Sequence, residues 1–175
     1  MSDDAHYLID TSVFVQAHRA YYSFSVCPGF WDSLVSLHNQ GRVMSIDKVL
    51  EEICFGDEDQ LSAWAKNTMP KTCFPTCDDP GVIGWYSQIQ AWANSQPQFS
   101  DAAKSEFADE TDAWIVAYAG AKNYTVVTGE VFNFNIRRKI PIPNVCQAAQ
   151  FKVPCLDVFT MLNRLGIKFQ WVSGK

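Results

Sequence analysis

Four carboxylates stand where an apolar strand ends or a helix passes: Asp10, Glu52, Asp112 and Glu130. Asp10 closes the run Tyr7-Leu8-Ile9 and precedes Thr11-Ser12, while Glu130 follows Tyr124-Thr125-Val126-Val127-Thr128 across Gly129. Strand C-termini of a parallel α/β sheet share one edge, and ligand sites gather in the crevice outside it. Glu52 and Asp112 fall in helical patterns that can reach the same edge. Carboxylates that converge without a basic partner repel each other, at roughly 4 kcal/mol per pair for a separation of about 4 Å and an effective dielectric of about 20. A hard divalent cation with oxygen ligands relieves that cost. The four acids are expected to form a metal site. No Cys–His or Ser–His pairing is suggested, so a covalent enzyme intermediate is not expected.

The elements that must position these acids are strand-length apolar runs alternating with helical patterns, the signature of an α/β domain. A strand over about 6–10 leads into a helix from near Ser12. Phe30, Trp31, Leu34, Val35 and His38 follow helical spacing up to Gly41. A short strand at 43–46 precedes a helix capped by Asp47 and carrying Val49, Leu50 and Ile53, with helix continuing through Leu61, Trp64 and Ala65. Prolines at 70, 75 and 80 mark residues 68–81 as a loop. A helical stripe runs from Val82 to Ala93, and an Ala-rich, nearly all-apolar helix over 110–122 is expected to lie against the sheet. It feeds the strand 124–128 directly. After a loop over 131–144 come a short helix near 144–149, a strand at 153–156 and a helix from about 157 to 165. One domain over 1–170 is expected, with 171–175 as a flexible tail.

Bulk properties narrow the class. The 175 residues are 47% hydrophobic and 14% aromatic, with six Trp, which predicts a globular core. The formal charge of −5 excludes a protein that coats nucleic acid through its net field, although a local basic stripe could still hold phosphates. Met1-Ser2-Asp3-Asp4 does not resemble a signal peptide, and no apolar stretch reaches bilayer-spanning length, so a cytoplasmic protein without a membrane partner is expected. The six cysteines are then expected as reduced thiols. Cys73 and Cys77 stand four apart, but no second Cys or His pair at finger spacing follows, so inert thiols are favoured over zinc. The sequon Asn123-Tyr124-Thr125 falls at a helix-to-strand junction and is read as silent.

Tyr7-Leu8-Ile9-Asp10-Thr11-Ser12, Glu51-Glu52-Ile53, Thr111-Asp112-Ala113-Trp114-Ile115-Val116-Ala117 and Val126-Val127-Thr128-Gly129-Glu130 together resemble the PIN-domain nucleases, in order and spacing, across almost the whole chain. The likeness is nearest to a PIN-like branch of undefined function related to VapC-type toxins. There, segments similar to Cys27-Pro28-Gly29-Phe30-Trp31 and Ile140-Pro141-Ile142-Pro143-Asn144-Val145-Cys146 recur. The resemblance implies a three-layer α/β/α sandwich with a mainly parallel sheet. It also implies cleavage of RNA with Mg2+ or Mn2+, leaving a 5′-phosphate and a 3′-hydroxyl. Asp10, Glu52, Asp112 and Glu130 take the places of the family's acids, and Thr11 or Ser12 would align a water or a phosphate oxygen. Glu51 and Asp109 are secondary candidates. Glu51 points about 100° away from Glu52 on a helix, which favours Glu52; Asp109 would be an outer-sphere ligand or a helix cap. Gly129 stands where relatives often carry a side chain and is expected to loosen the strand end. A toxin-like protein further implies a cognate antitoxin and, as is common in that family, a homodimer.

Substrate grip in an acidic protein must come from local cations. Arg137-Arg138-Lys139 is the candidate run, able to neutralise two or three phosphates, with a solvated charged loop as the equal alternative. Phe132 and Phe134 could stack on bases, with core packing the favoured role. Two other functional classes remain. A phosphatase with Asp10 as nucleophile would want a second Asp two residues on, where Ser12 stands. A PIN scaffold that binds RNA or a partner with little catalysis is the alternative to the nuclease.

Overall fold

A computed structural model describes residues 5–173. The N-terminal tetrapeptide read for signal character, and the last two residues of the expected tail, lie outside them. Four short parallel strands form the sheet: β1 (Tyr7–Ile9), β2 (Val43–Met44), β3 (Thr125–Val127) and β4 (Cys155–Leu156), in the order β2-β1-β3-β4. All three residues of β1 are buried, as expected when helices cover both faces of a parallel sheet. The described residues also form nine α-helices around this sheet, giving a three-layer α/β/α sandwich.

The strand order decides where a site can sit. From β1 the chain moves outward to β2 in one direction, and from β3 outward to β4 in the other. Right-handed crossovers then send the connections of the two halves to opposite faces. A crevice opens outside the carboxyl ends of β1 and β3, the switch point of the sheet. Ile9 is level with Val127, so Asp10 and Thr128 emerge side by side, and the Asp10 N–H donates to the Val127 carbonyl at 2.9 Å.

On one face lie α1 (Thr11–Gln16), continued by a π-helical turn over Ala17–Tyr21, then α2 (Pro28–Asn39), with α3 (Asp47–Ile53) and α4 (Gln60–Asn67) beside them. They are joined by an aromatic cluster. Phe24 stacks on Trp31 with ring centroids 4.1 Å apart, and Trp31 meets Trp64 edge-on at 4.9 Å; such pairs each add about 0.5–1.5 kcal/mol beyond burial. The other face carries α7 (Asp112–Lys122), which packs on β3 and is flanked by α5 (Pro80–Ser95) and α8 (Ile142–Cys146). Helix α7 crosses α5 closely at Gly120, where any Cβ would overlap the Trp85 ring. The remaining helices are α6 (Asp101–Asp109) and α9 (Val158–Arg164).

Several boundaries differ from the sequence reading. Asp47 is the first residue of α3 rather than its cap, and its carboxylate accepts from the Lys48 and Cys77 N–H groups, pinning the loop before α5 to the start of α3. Helices α3 and α4 are separate because Asp59 and Ser62 form a capping box that starts α4 afresh. The expected helix over 110–122 begins at Asp112, and α6, capped by Ser100, occupies a stretch with no expected element. Only Ala103 and Phe107 of α6 are buried, too narrow a stripe to signal a helix. The short late helix lies at Ile142–Cys146, two residues or more earlier than expected, because prolines at 141 and 143 suit a helix start. Among the described residues, no helix is long and apolar enough to cross a membrane. All six cysteines are free; Cys73 is fully buried, and burial pushes its thiol up to about 12, so it is no ready thiolate.

Candidate metal centre

Asp10 is the best-fixed acid. It is 3% exposed and caps α1, with Oδ2 accepting from the Ser12 hydroxyl at 2.5 Å, the Thr128 hydroxyl at 3.0 Å and the Ser12 N–H at 3.3 Å. The Gly129 N–H donates to the Ser12 oxygen at 2.9 Å, and the Glu130 N–H to that of Thr128 at 3.1 Å. These bonds tie the tips of β1 and β3 together around one carboxylate. Burial pushes Asp10's pKa up, the Ser12 and Thr128 hydroxyls pull it back, and the charge of Glu130 adds to the rise. A Cβ at Gly129 would overlap the end of the Gln16 side chain from α1.

Asp112 reaches the same crevice from the first turn of α7. Its Oδ2 is buried and accepts no hydrogen bond among the described residues, which is rare for a desolvated oxygen. Burial, followed by the charges of Asp10 and Glu130, raises its pKa to about 8. Glu130 lies at the tip of β3 with both oxygens engaged: Oε1 pairs with Lys139 Nζ at 2.5 Å, and Oε2 accepts from the Ile142 N–H at 2.7 Å. Lys139 also lies 3.6 Å from Asp112 Oδ2. Both oxygens contact one ammonium and are thus within about 6 Å of each other, close enough to repel by a few kcal/mol without it. The ammonium draws Asp112's pKa down, yet burial outweighs it. Burial lowers Lys139's own pKa, but its bond to Glu130 and the charges of Asp112, Glu130 and Glu110 raise it on balance, so it stays charged.

Glu52 comes from α3, and its Oε2 accepts from the Thr11 hydroxyl at 2.5 Å, which aims it at the tip of β1. Glu51 turns away to Lys48 at 3.4 Å, as the helical rotation between adjacent residues requires. Beside Glu52 opens a cleft of about 700 Å³ lined by Phe55, Tyr86, Asp109, Glu110 and Trp114 among others. Tyr86 and Trp114 stack with centroids 3.9 Å apart, and Phe55 is 90% exposed.

The structure thus brings together Asp10, Asp112 and Glu130, with Glu52 held at the rim by Thr11. Four expectations change. The acids do have a basic partner, Lys139, which turns inward instead of facing phosphates. The Thr11 and Ser12 hydroxyls are committed to Glu52 and Asp10 rather than left open to a ligand. Asp109 ends α6, exposed on the cleft wall, and does not cap α7, whose N-cap is Thr111. Phe132 and Phe134 are exposed, at 41% and 76%, not core. Arg137 and Arg138 are exposed and make no ion pair among the described residues. Thr128 and Glu110 were not anticipated. Thr128 is fully buried and bonds Asp10; Glu110 is pushed up by burial, and by Glu106, Glu52 and Glu130 against Lys139. A polar residue ending an otherwise apolar strand was the available signal for Thr128.

Donor chemistry fits a hard divalent cation: carboxylate oxygens, surplus negative charge and one buried oxygen without a hydrogen bond among the described residues. Among the described residues no three Asp, Glu, His or Cys side chains stand ready to hold an ion as placed.

A family model described as a domain of unknown function, DUF4411, matches residues 7–169, from the first residue of β1 past α9 and across all four acids. The chain belongs to the DUF4411 family. No curated protein matches this DUF4411 chain.

Proposed function

We propose that this DUF4411 protein is an endoribonuclease dependent on Mg2+ or Mn2+, with Asp10, Asp112, Glu130 and Glu52 as its acids. The observation that carries this reading is the convergence of Asp10, Asp112 and Glu130 outside the β1/β3 switch point, where one Asp112 oxygen is buried without a hydrogen bond among the described residues. The resemblance of its motifs to PIN-domain nucleases supplies the reaction class.

A bound divalent ion would acidify a water and offset the charge of the scissile phosphate. Asp10, Glu52 and Asp112 would hold it. The chain's other groups prepare that task. The hydroxyls of Ser12 and Thr128 keep Asp10 in one rotamer, so little order must be gained on binding. Thr11 does the same for Glu52. Arg137 and Arg138, exposed and unpaired with any acid among the described residues, are available to phosphates. Phe55, at the cleft beside Glu52, offers a free ring to an unpaired base.

The test is cleavage of defined tRNA, rRNA and mRNA fragments with Mg2+ or Mn2+ against EDTA. Metal-dependent cutting by the native chain, lost in Asp10→Asn and Asp112→Asn, is expected. A second reading, an RNA- or partner-binding scaffold with little turnover, draws on Lys139 already neutralising two of the acids; RNA retention without cutting at high Mn2+ would establish it. As the toxin of a toxin–antitoxin pair the protein would act in the cytoplasm, homodimerise and be held by a cognate antitoxin. Co-purification with light scattering decides that part: a lone monomer removes the pair and leaves the nuclease standing.

A further inference from the structure

Lys139 is placed too deliberately for a surface lysine. The loop that carries it is pinned along its length. The Asn144 side-chain amide clamps the Asn133 backbone, its Oδ1 accepting from the Asn133 N–H at 3.0 Å and its Nδ2 donating to the Asn133 carbonyl at 2.8 Å. The Gln98 amide donates to the Phe134 and Ile136 carbonyls, both at 2.8 Å, and the Ser100 N–H to that of Arg137 at 2.9 Å. Ile140, directly after Lys139, is buried. Of three consecutive cations, this anchoring turns only Lys139 to the acids. Its ammonium contacts Glu130 and Asp112, while the second Glu130 oxygen is occupied by the Ile142 N–H.

We propose that Lys139 is a resident cation of the acidic cluster: it fills the seat between Glu130 and Asp112, so the protein takes one divalent ion and not two. Glu130 is then a positioning residue that holds Lys139 rather than a ligand. The inference rests on the metal-dependent reading above. Its physical basis is that a fixed ammonium, 2.5 Å from Glu130 Oε1 and 3.6 Å from Asp112 Oδ2, repels a second cation from the carboxylates it shares.

The experiment is Mn2+ binding to the full chain, read as stoichiometry and affinity by calorimetry and by the electron-spin-resonance signal of free Mn2+. Native protein and Lys139→Arg, which keeps the charge, are expected to bind one ion each. Lys139→Met is expected to bind a second ion, or the first about tenfold more tightly. Thermal melting shows that each variant is folded. Two ions in the native chain, or Lys139→Met indistinguishable from it, would overturn the role of Lys139 and leave the metal site intact. Binding by Lys139→Met alone would also overturn it, since the lysine would then exclude every ion. No binding by any of the three would remove the metal reading itself.

Discussion

The sharpest test of the electrostatic reasoning is the stability of the metal-free protein as a function of pH, with Asp112→Asn as the reference. In the folded chain the Asp112 carboxyl is raised from 3.8 to about 8, first by burial and then by Asp10 and Glu130. Between those two values the folded state holds a proton that the unfolded state has released, so stability falls as pH rises through this window and levels off above it. Each pH unit is worth about 1.4 kcal/mol, giving an upper limit of roughly 6 kcal/mol. Relaxation and water entry at a side chain still 16% exposed should bring the measured loss to about 2–4 kcal/mol. Asparagine carries no charge to desolvate, so the variant should not lose stability in this way. The assay is urea unfolding in EDTA at pH 5, 7 and 8.5. Native protein should weaken relative to Asp112→Asn along that series, and Mn2+ at pH 8.5 should restore the native chain but not the variant. Parallel pH profiles for the two proteins would refute a buried, charge-starved Asp112 and with it the physical case for a cation.

Other outcomes follow from single contacts. Asp10→Ala removes a helix cap and strands the Ser12 and Thr128 hydroxyls, so unfolding free energy should drop by about 2–4 kcal/mol in addition to the loss of cleavage. Glu52→Gln should lower cleavage by at least about a hundredfold, while Glu51→Gln, a change on the face turned to Lys48, should leave it unaltered; equal losses would mean the helix is rotated from its described orientation. Gly120→Ala drives a methyl into the Trp85 ring and should destabilise by about 1–3 kcal/mol, whereas Gly84→Ala, in open space on α5, should stabilise by about 0.5–1 kcal/mol. Calorimetric melting of the pair reads both signs. Arg137→Ala and Arg138→Ala should each weaken RNA binding uniformly across sequences and reduce the salt slope by about one, measured by filter binding from low to moderate salt.

Much of the scaffold was legible because it follows from one-dimensional patterns. The runs Tyr7-Leu8-Ile9 and Thr125-Val126-Val127 are apolar without alternation, as strands buried on both faces must be. Helix α7 is apolar all round, as its position between the sheet and α5 requires. Helix α6 was not legible, since two buried side chains in nine residues leave no stripe to read. The rotation that separates Glu52 from Glu51 was available from helix geometry alone, but the hydroxyl of Thr11 that fixes Glu52 is 41 residues away.

The sequence by itself determined an α/β chain with acids at its strand ends, because burial and backbone pairing impose periods that side-chain types must obey. Tertiary structure alone decided which charges meet. Arg137, Arg138 and Lys139 are equivalent as letters, yet the backbone bonds from Gln98, Ser100 and Asn144 turn one of them to Glu130 and leave two in solvent. Periodicity constrains neighbours along a helix or strand; the charge a carboxylate faces across a crevice depends on loops whose paths carry no period at all.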